Sequence, residues 1–119
     1  MTPYVEIRGD GPDLVLLHGW ALHGGMWGPW IDELARHARL HLVDLPGHGR
    51  SPFPPGLGDL AGLAAAVRPV VPDGAALLGW SLGGMVALEL ARGPRPRLAA
   101  LVLVATTPRF VVDEDWPHG

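Results

Sequence analysis

The stretch Ala75-Ala76-Leu77-Leu78-Gly79-Trp80-Ser81-Leu82-Gly83-Gly84-Met85-Val86-Ala87-Leu88-Glu89-Leu90-Ala91 sets the reading of the whole chain. Ala75 to Leu78 is a short apolar run of the kind that forms a strand buried on both faces. Leu82 to Ala91 follows as a helix, stopped by Gly93-Pro94. Between them lies Gly79-Trp80-Ser81-Leu82-Gly83, a G-x-S-x-G turn. The chain must reverse so sharply there that the serine is strained, and only residues without a Cβ fit two positions to either side. Such a turn presents the Ser81 hydroxyl above the sheet at a helix N-terminus, where free N–H groups and the positive dipole end favour developing negative charge. Chance predicts roughly 0.04 such pentapeptides in a chain of this glycine and serine content. Ser51, in Gly49-Arg50-Ser51-Pro52, has no such context and reads as a turn or cap residue.

Outward from this turn the same alternation continues. Leu14 to Leu17, Leu40 to Val43 and Ala99 to Val104 read as further buried strands. Trp27, Trp30, Ile31, Leu34, Ala35 and Ala38 form one apolar stripe and predict a helix from Trp27 to Ala38. Leu60, Leu63, Ala64 and Val67 predict another, ending near Pro69. Strand–helix alternation implies an α/β class: a three-layer α/β/α sandwich around a mainly parallel sheet. Val5 and Ile7 add a short antiparallel edge strand. Pro52 to Gly58 is read as a surface connection rather than a domain linker. Sites in such sheets lie beyond the carboxyl ends of the strands, here the loops 19–26, 45–53 and 79–82.

Composition narrows the chemistry further. The 119 residues carry a net charge of −3 and contain no Cys, Lys, Asn or Gln. Disulfides, thiolate metal sites, Schiff bases and side-chain amide oxyanion donors are therefore excluded. All nine cations are arginines, scattered singly, so no basic stripe exists for nucleic acid. The longest apolar run, Leu98 to Ala105, is far short of the ~20 residues of a membrane span. Met1 to Gly11 shows no apolar signal region, so a cytoplasmic location is expected.

The candidate residues follow from the loops. Ser81 is the expected nucleophile, and the Leu82 N–H, next in sequence, an oxyanion donor. A second donor is expected from the loop after an earlier strand. His18-Gly19-Trp20 supplies the Trp20 N–H, with Gly19 permitting close backbone approach. Trp80 and Leu22 are candidates to line a pocket; the Trp20 and Trp80 rings read equally well as pocket or core. Asp44 is expected to hold the Leu45-Pro46-Gly47-His48-Gly49 loop through backbone hydrogen bonds. His23 and His48 lie on site-side loops. The six histidines show no metal-ligand spacing on one helix face, so no metal and no cofactor are expected.

Taken together, LVLLHGW (14–20), LHLVDLPGHGRS (40–51), LGWSLGG (78–84) and residues 105–110 followed by Asp115-Trp116-Pro117 resemble the α/β-hydrolase superfamily. Within it they are most similar to the pimeloyl-[acyl-carrier-protein] methyl ester esterases of biotin synthesis. The resemblance implies a serine carboxylesterase acting on a short acyl methyl ester, carried on acyl carrier protein. It gives the same roles to Ser81, Trp20 and Leu82, and implies no cofactor.

The resemblance also implies a departure. The family places its acid and histidine late in the chain, in the order Ser, Asp, His, and inserts a helical lid after the fourth buried strand. Residues 1–110 thus correspond to the amino-terminal part of the core and 111–119 to the start of a lid. The only histidine after Ser81 is His118, five residues from Asp113, with Glu114 and Asp115 between. A triad drawn from these could hardly meet the required geometry. The chain is therefore expected to be inactive alone and to self-associate through an exposed apolar edge at Ala99 to Val104. Two other readings stand beside this one. One is another hydrolase of the fold, such as a carbon–carbon hydrolase, peptidase or acyltransferase. The other is a non-catalytic fragment that docks on a complementary chain.

Overall fold

The central strand is β2 (Asp13–Leu17), and its sequence explains the layers around it. Side chains alternate across a strand, so an unbroken apolar run needs cover on both faces. Val15 and Leu17 pack into one core with Val43, Leu77, Val86 and Leu90. Leu16 packs into a second core with Trp27, Ile31, Leu40 and Leu42. A computed structural model describes residues 2–109 and 111–117 of the chain.

Five strands form one sheet: β1 (Val5–Arg8), β2, β3 (Arg39–Val43), β4 (Ala75–Trp80) and β5 (Leu98–Val104), in the spatial order β1-β3-β2-β4-β5. β3, β2, β4 and β5 are mutually parallel, while β1 runs antiparallel to β3 with Val5 opposite Val43 and Ile7 opposite His41. The mainly parallel sheet and its edge strand match the reading of the sequence. Helices α2 (Leu60–Val67) and α3 (Leu82–Arg92) cover one face, against the first core. The other face is covered by a 3-10 turn at Gly24–Trp27 and helix α1 (Trp30–Leu34). Asp59 caps α2, its carboxylate accepting from the Gly62 N–H at 2.8 Å.

The helix expected from Trp27 to Ala38 is shorter than its apolar stripe. Gly28 adopts φ 76° and Pro29 stands at the N-cap, so the helical path cannot pass continuously from Trp27 into Trp30. Beyond Leu34 the backbone tightens into turns, with the His37 N–H donating to the Leu34 carbonyl at 2.9 Å. The stripe still buries Trp27 and Ile31, with Leu34, Ala35 and Ala38 packed alongside. Periodicity marked the right face; proline and glycine divided the element.

β5 is the edge next to β4, and its burial differs from that of the other parallel strands. Leu101, Val102, Leu103 and Val104 are each 36–44% exposed, although the strand carries no charged residue. Among the described residues no helix is long and apolar enough to cross a membrane.

Candidate active site

Ser81 stands between the last residue of β4 and the first of α3, at φ 54° and ψ −114°. A non-glycine residue in so sparsely populated a region costs on the order of 1–3 kcal/mol and persists only where its surroundings over-determine it. Both main-chain groups of Ser81 are held. Its N–H donates to the Val104 carbonyl at 3.0 Å. Its carbonyl accepts from the Gly84 N–H at 2.9 Å, the Met85 N–H at 3.2 Å and the Thr106 hydroxyl at 2.7 Å.

The flanking glycines are required by contact. A Cβ on Gly79 would lie 2.6 Å from both the Gly83 carbonyl carbon and the Gly84 Cα. One on Gly83 would lie 2.5 Å from the Leu17 carbonyl carbon and 2.6 Å from the His18 oxygen. Helix α3 thus starts in backbone contact with the end of β2. The same closeness serves the loop after β2, where a Cβ on Gly19 would sit 3.4 Å from Ser81 Cβ. The Trp20 N–H follows Gly19 at once, and the Leu82 N–H opens α3. Neither donates to another described residue, and first-turn helix N–H groups have no intrahelical partner. Two main-chain N–H groups with no described acceptor thus lie next in sequence to Gly19 and to Ser81, on segments that approach each other at Ser81.

The loops that carry these donors are pinned from behind. His18 is fully buried. Its Nε2 accepts from the Leu45 N–H at 2.9 Å, which leaves Nδ1 as the protonated nitrogen donating to the Gly19 carbonyl at 2.7 Å. Burial depresses the His18 pKa below its ordinary value and nearby His48 adds to this, whereas the Gly19 carbonyl and Asp44 oppose it. Neutral His18 thus ties the end of β2 to the end of β3. Asp44 acts as the sequence led us to expect: its carboxylate accepts from the Gly24 N–H and, at 2.9 Å, from the Arg50 N–H. Ser51 is buried, accepts from the Tyr4 N–H at 2.8 Å and donates to the Asp44 carbonyl, joining this loop to the start of β1. His23 caps the 3-10 turn by accepting from the Gly25 N–H at 3.0 Å.

Beside Ser81, on the α2/α3 side, lies an apolar trough of about 450 Å³. Leu60, Leu63, Leu82 and Met85 line it together with the exposed rings of Trp20 and Phe53. His48 also lines it, its Nδ1–H donating to the Pro46 carbonyl at 3.0 Å while its ring meets Trp20 edge-on at 5.8 Å. Trp80 and Leu22, the expected lining residues, are not among those that form this trough. The pleat explains Trp80: Leu77 and Gly79 face α3, so Leu78 and Trp80 point to the opposite face, into the second core. There the Trp80 ring covers Gly19, where any Cβ would meet it at 2.5 Å. Trp80 is half-buried and packs against the second core. Leu22 is half-buried in the turn after Trp20, its N–H donating to the Gly19 carbonyl at 3.2 Å.

No described histidine or carboxylate hydrogen-bonds the Ser81 hydroxyl. Asp113 is engaged elsewhere, with Arg109 at 3.0 Å and the Glu114 N–H at 2.7 Å; His118 lies outside the described residues. Among the described residues no three His, Asp or Glu side chains gather to hold a metal ion. Thr106 carries no motif of its own; its one trace in the sequence is the extra glycine, Gly84, after the G-x-S-x-G turn.

The profile of the family described as alpha/beta hydrolase fold matches residues 12–119. A curated relative from Nitrosospira multiformis, named pimeloyl-[acyl-carrier protein] methyl ester esterase, is 51% identical over 98% of this chain and 46% of its own length. One of the same name from Chromobacterium violaceum is 48% identical over 100% of this chain and 46% of its own. Among solved structures, an esterase from Exiguobacterium antarcticum superposes with a TM-score of 0.86 at 29% identity, covering 98% of this chain and 46% of that one. The chain spans about half the length of the curated relatives it matches.

Proposed function

Because the chain belongs to the alpha/beta hydrolase fold family, we propose that it carries the nucleophile and oxyanion hole of a cytoplasmic serine carboxylesterase. Its substrate is a short acyl methyl ester, and by its relatives' name that of pimeloyl-acyl-carrier protein. The observation that carries the reading is the strained Ser81 at φ 54°, with the unengaged Trp20 and Leu82 N–H groups beside it. Ser81 Oγ attacks the ester carbonyl, and the resulting oxyanion accepts from those two donors. Collapse expels methanol and leaves the acyl group on Ser81, which water then releases. The trough beside Leu82 and Trp20 takes the apolar part of the acyl chain. The segment from 111 onward forms the approach to a lid over this trough.

Attack requires a base to accept the Ser81 proton, and no described residue is placed to do so. We therefore expect the 119-residue chain alone to retain only the residual acceleration of about 10³–10⁴ over water that oxyanion stabilisation and binding supply. A fluorophosphonate probe tests both parts. Slow labelling that disappears in Ser81→Ala is the expected result. Labelling that survives the substitution, or none at all, refutes Ser81 as nucleophile. Turnover of a p-nitrophenyl ester at an ordinary rate of ~1–10³ s⁻¹ would show that a base does reach Ser81. Methanol release from pimeloyl-acyl-carrier-protein methyl ester, against the free pimelate methyl ester, checks the substrate.

A further inference from the structure

Outside α3, the strained turn at Ser81 is held, among the described residues, by the segment that leaves β5. Val104 accepts the Ser81 N–H at 3.0 Å and, two residues on, the Thr106 hydroxyl donates to the Ser81 carbonyl at 2.7 Å. Ala105, between them, adopts φ 48°, like Ser81 a non-glycine residue at positive φ, and this turn brings the Thr106 side chain back over α3. Thr106 is also what excludes a side chain at Gly84, where a Cβ would meet Thr106 Cγ2 at 2.5 Å and Thr106 Cβ and Oγ1 at 2.6 Å. Gly79 and Gly83 face main-chain atoms of α3 and of β2, whereas Gly84 faces this one side chain.

We propose that Thr106 is a positioning residue for Ser81, its hydroxyl on the Ser81 carbonyl and its methyl on Gly84 holding the peptide between Ser81 and Leu82 in the orientation that aims the Leu82 N–H at the oxyanion. The inference rests on Ser81 being the nucleophile. The Ser81 carbonyl and the Leu82 N–H belong to one peptide plane, so a bond that fixes the carbonyl fixes the donor. The Gly84 and Met85 N–H groups also reach that carbonyl, but they rotate with α3. Thr106 holds it from outside the helix, and so resists rotation of the peptide relative to β2 and Trp20. The strain at Ser81 makes such a restraint necessary, because relaxation to negative φ would turn the same peptide away.

Thr106→Val and Thr106→Ser test this in the 119-residue chain, with Thr107→Val as a control on the neighbouring exposed loop. Valine keeps the methyl and removes the hydroxyl; serine does the reverse. A misplacement of about 1 Å at a reacting centre can cost ~10²-fold in rate. Fluorophosphonate labelling is therefore expected to slow by about ten- to a hundred-fold in Thr106→Val and to stay within about threefold of the parent in Thr106→Ser. Ser81 ¹³Cα and ¹³Cβ shifts, which read its backbone conformation without any reaction, should move in Thr106→Val alone. Equal labelling in Thr106→Val and parent overturns the proposal. So does equal loss in valine and serine variants at similar melting temperatures, which would make packing the cause. If the parent does not label at all, the nucleophile reading fails, while unmoved Ser81 shifts in Thr106→Val would separately overturn the positioning role.

Discussion

Replacing Gly83 by alanine should reveal how tightly the start of α3 is locked to β2. The added Cβ would stand 2.5 Å from the Leu17 carbonyl carbon and 2.6 Å from the His18 oxygen, and nearer still to the Leu17 oxygen. All three are main-chain atoms at the end of β2, which is paired on both sides as far as Leu17, so no side-chain rotation can relieve the clash. Overpacking of this kind costs about 1–3 kcal/mol, and the rigidity of the neighbours places Gly83 at the upper end. Alanine returns about 1 kcal/mol through its better helix propensity, for a net loss of about 2 kcal/mol. The relief available is a retreat of α3, which carries the Leu82 N–H away from the Trp20 N–H. Labelling of Ser81 should therefore fall by more than stability does, on the order of tenfold or more, since one oxyanion donor is worth ~10²–10³. Urea denaturation followed by tryptophan fluorescence measures the first quantity and fluorophosphonate labelling the second. A Gly83→Ala chain within about 0.5 kcal/mol of the parent, the range of ordinary surface substitutions, with undiminished labelling would refute the close approach of α3 to β2.

Other expectations follow from the loops and the free edge. Burial lowers the His18 pKa below 6.5, so the unfolded chain takes up a proton before the folded one does. The neutral histidine's contribution is then complete above about pH 6.5 and declines as pH falls towards the folded-state pKa. Unfolding free energies at pH 7.5, 6 and 5 should show this component in the parent and lose it in His18→Ala; equal slopes in both would sink the assignment. Asp44→Ala removes the acceptor for the Gly24 and Arg50 N–H groups and should cost about 2–3 kcal/mol, on the scale of hydrogen bonds to a charged group. A denaturation midpoint close to the parent's would contradict that role. We also expect the 119-residue chain to self-associate through β5, whose Leu101 to Val104 side chains are exposed. Val102→Lys should shift it towards monomer in sedimentation velocity, because edge charge opposes strand pairing; an unchanged distribution would place the contact elsewhere.

Much of the architecture was legible because its causes are local. Unbroken apolar runs at 14–17 and 75–78 required cover on both faces, and the strands there are the buried centre of the sheet. The turn at Ser81 could be located from glycine spacing alone, since close packing of a strand on a helix start leaves no space for a Cβ at Gly79 and Gly83. Asp44 was readable for a similar reason: a carboxylate at a strand end, beside a glycine-rich loop, has main-chain N–H groups within reach. The break in the first helix was present in the sequence as Gly28-Pro29, but the apolar stripe that runs across it masked the signal.

What depended on distance along the chain was not legible. Trp80 reads equally as pocket or core until the pleat of β4 assigns it to the α1 face, away from the trough. His18 looks like the end of a strand, yet its imidazole spans 27 residues to reach the Leu45 N–H. Thr106 lies 25 residues from Ser81 and no short motif joins them. Sequence by itself determined the class of fold and the place of the strained turn at Ser81, because periodicity, glycine spacing and strand-end loops act over a few neighbouring residues. Tertiary structure alone decided which segments meet at Ser81, what holds its main chain and which side chains form the trough, because each is a meeting of segments whose separation only the folded sheet removes.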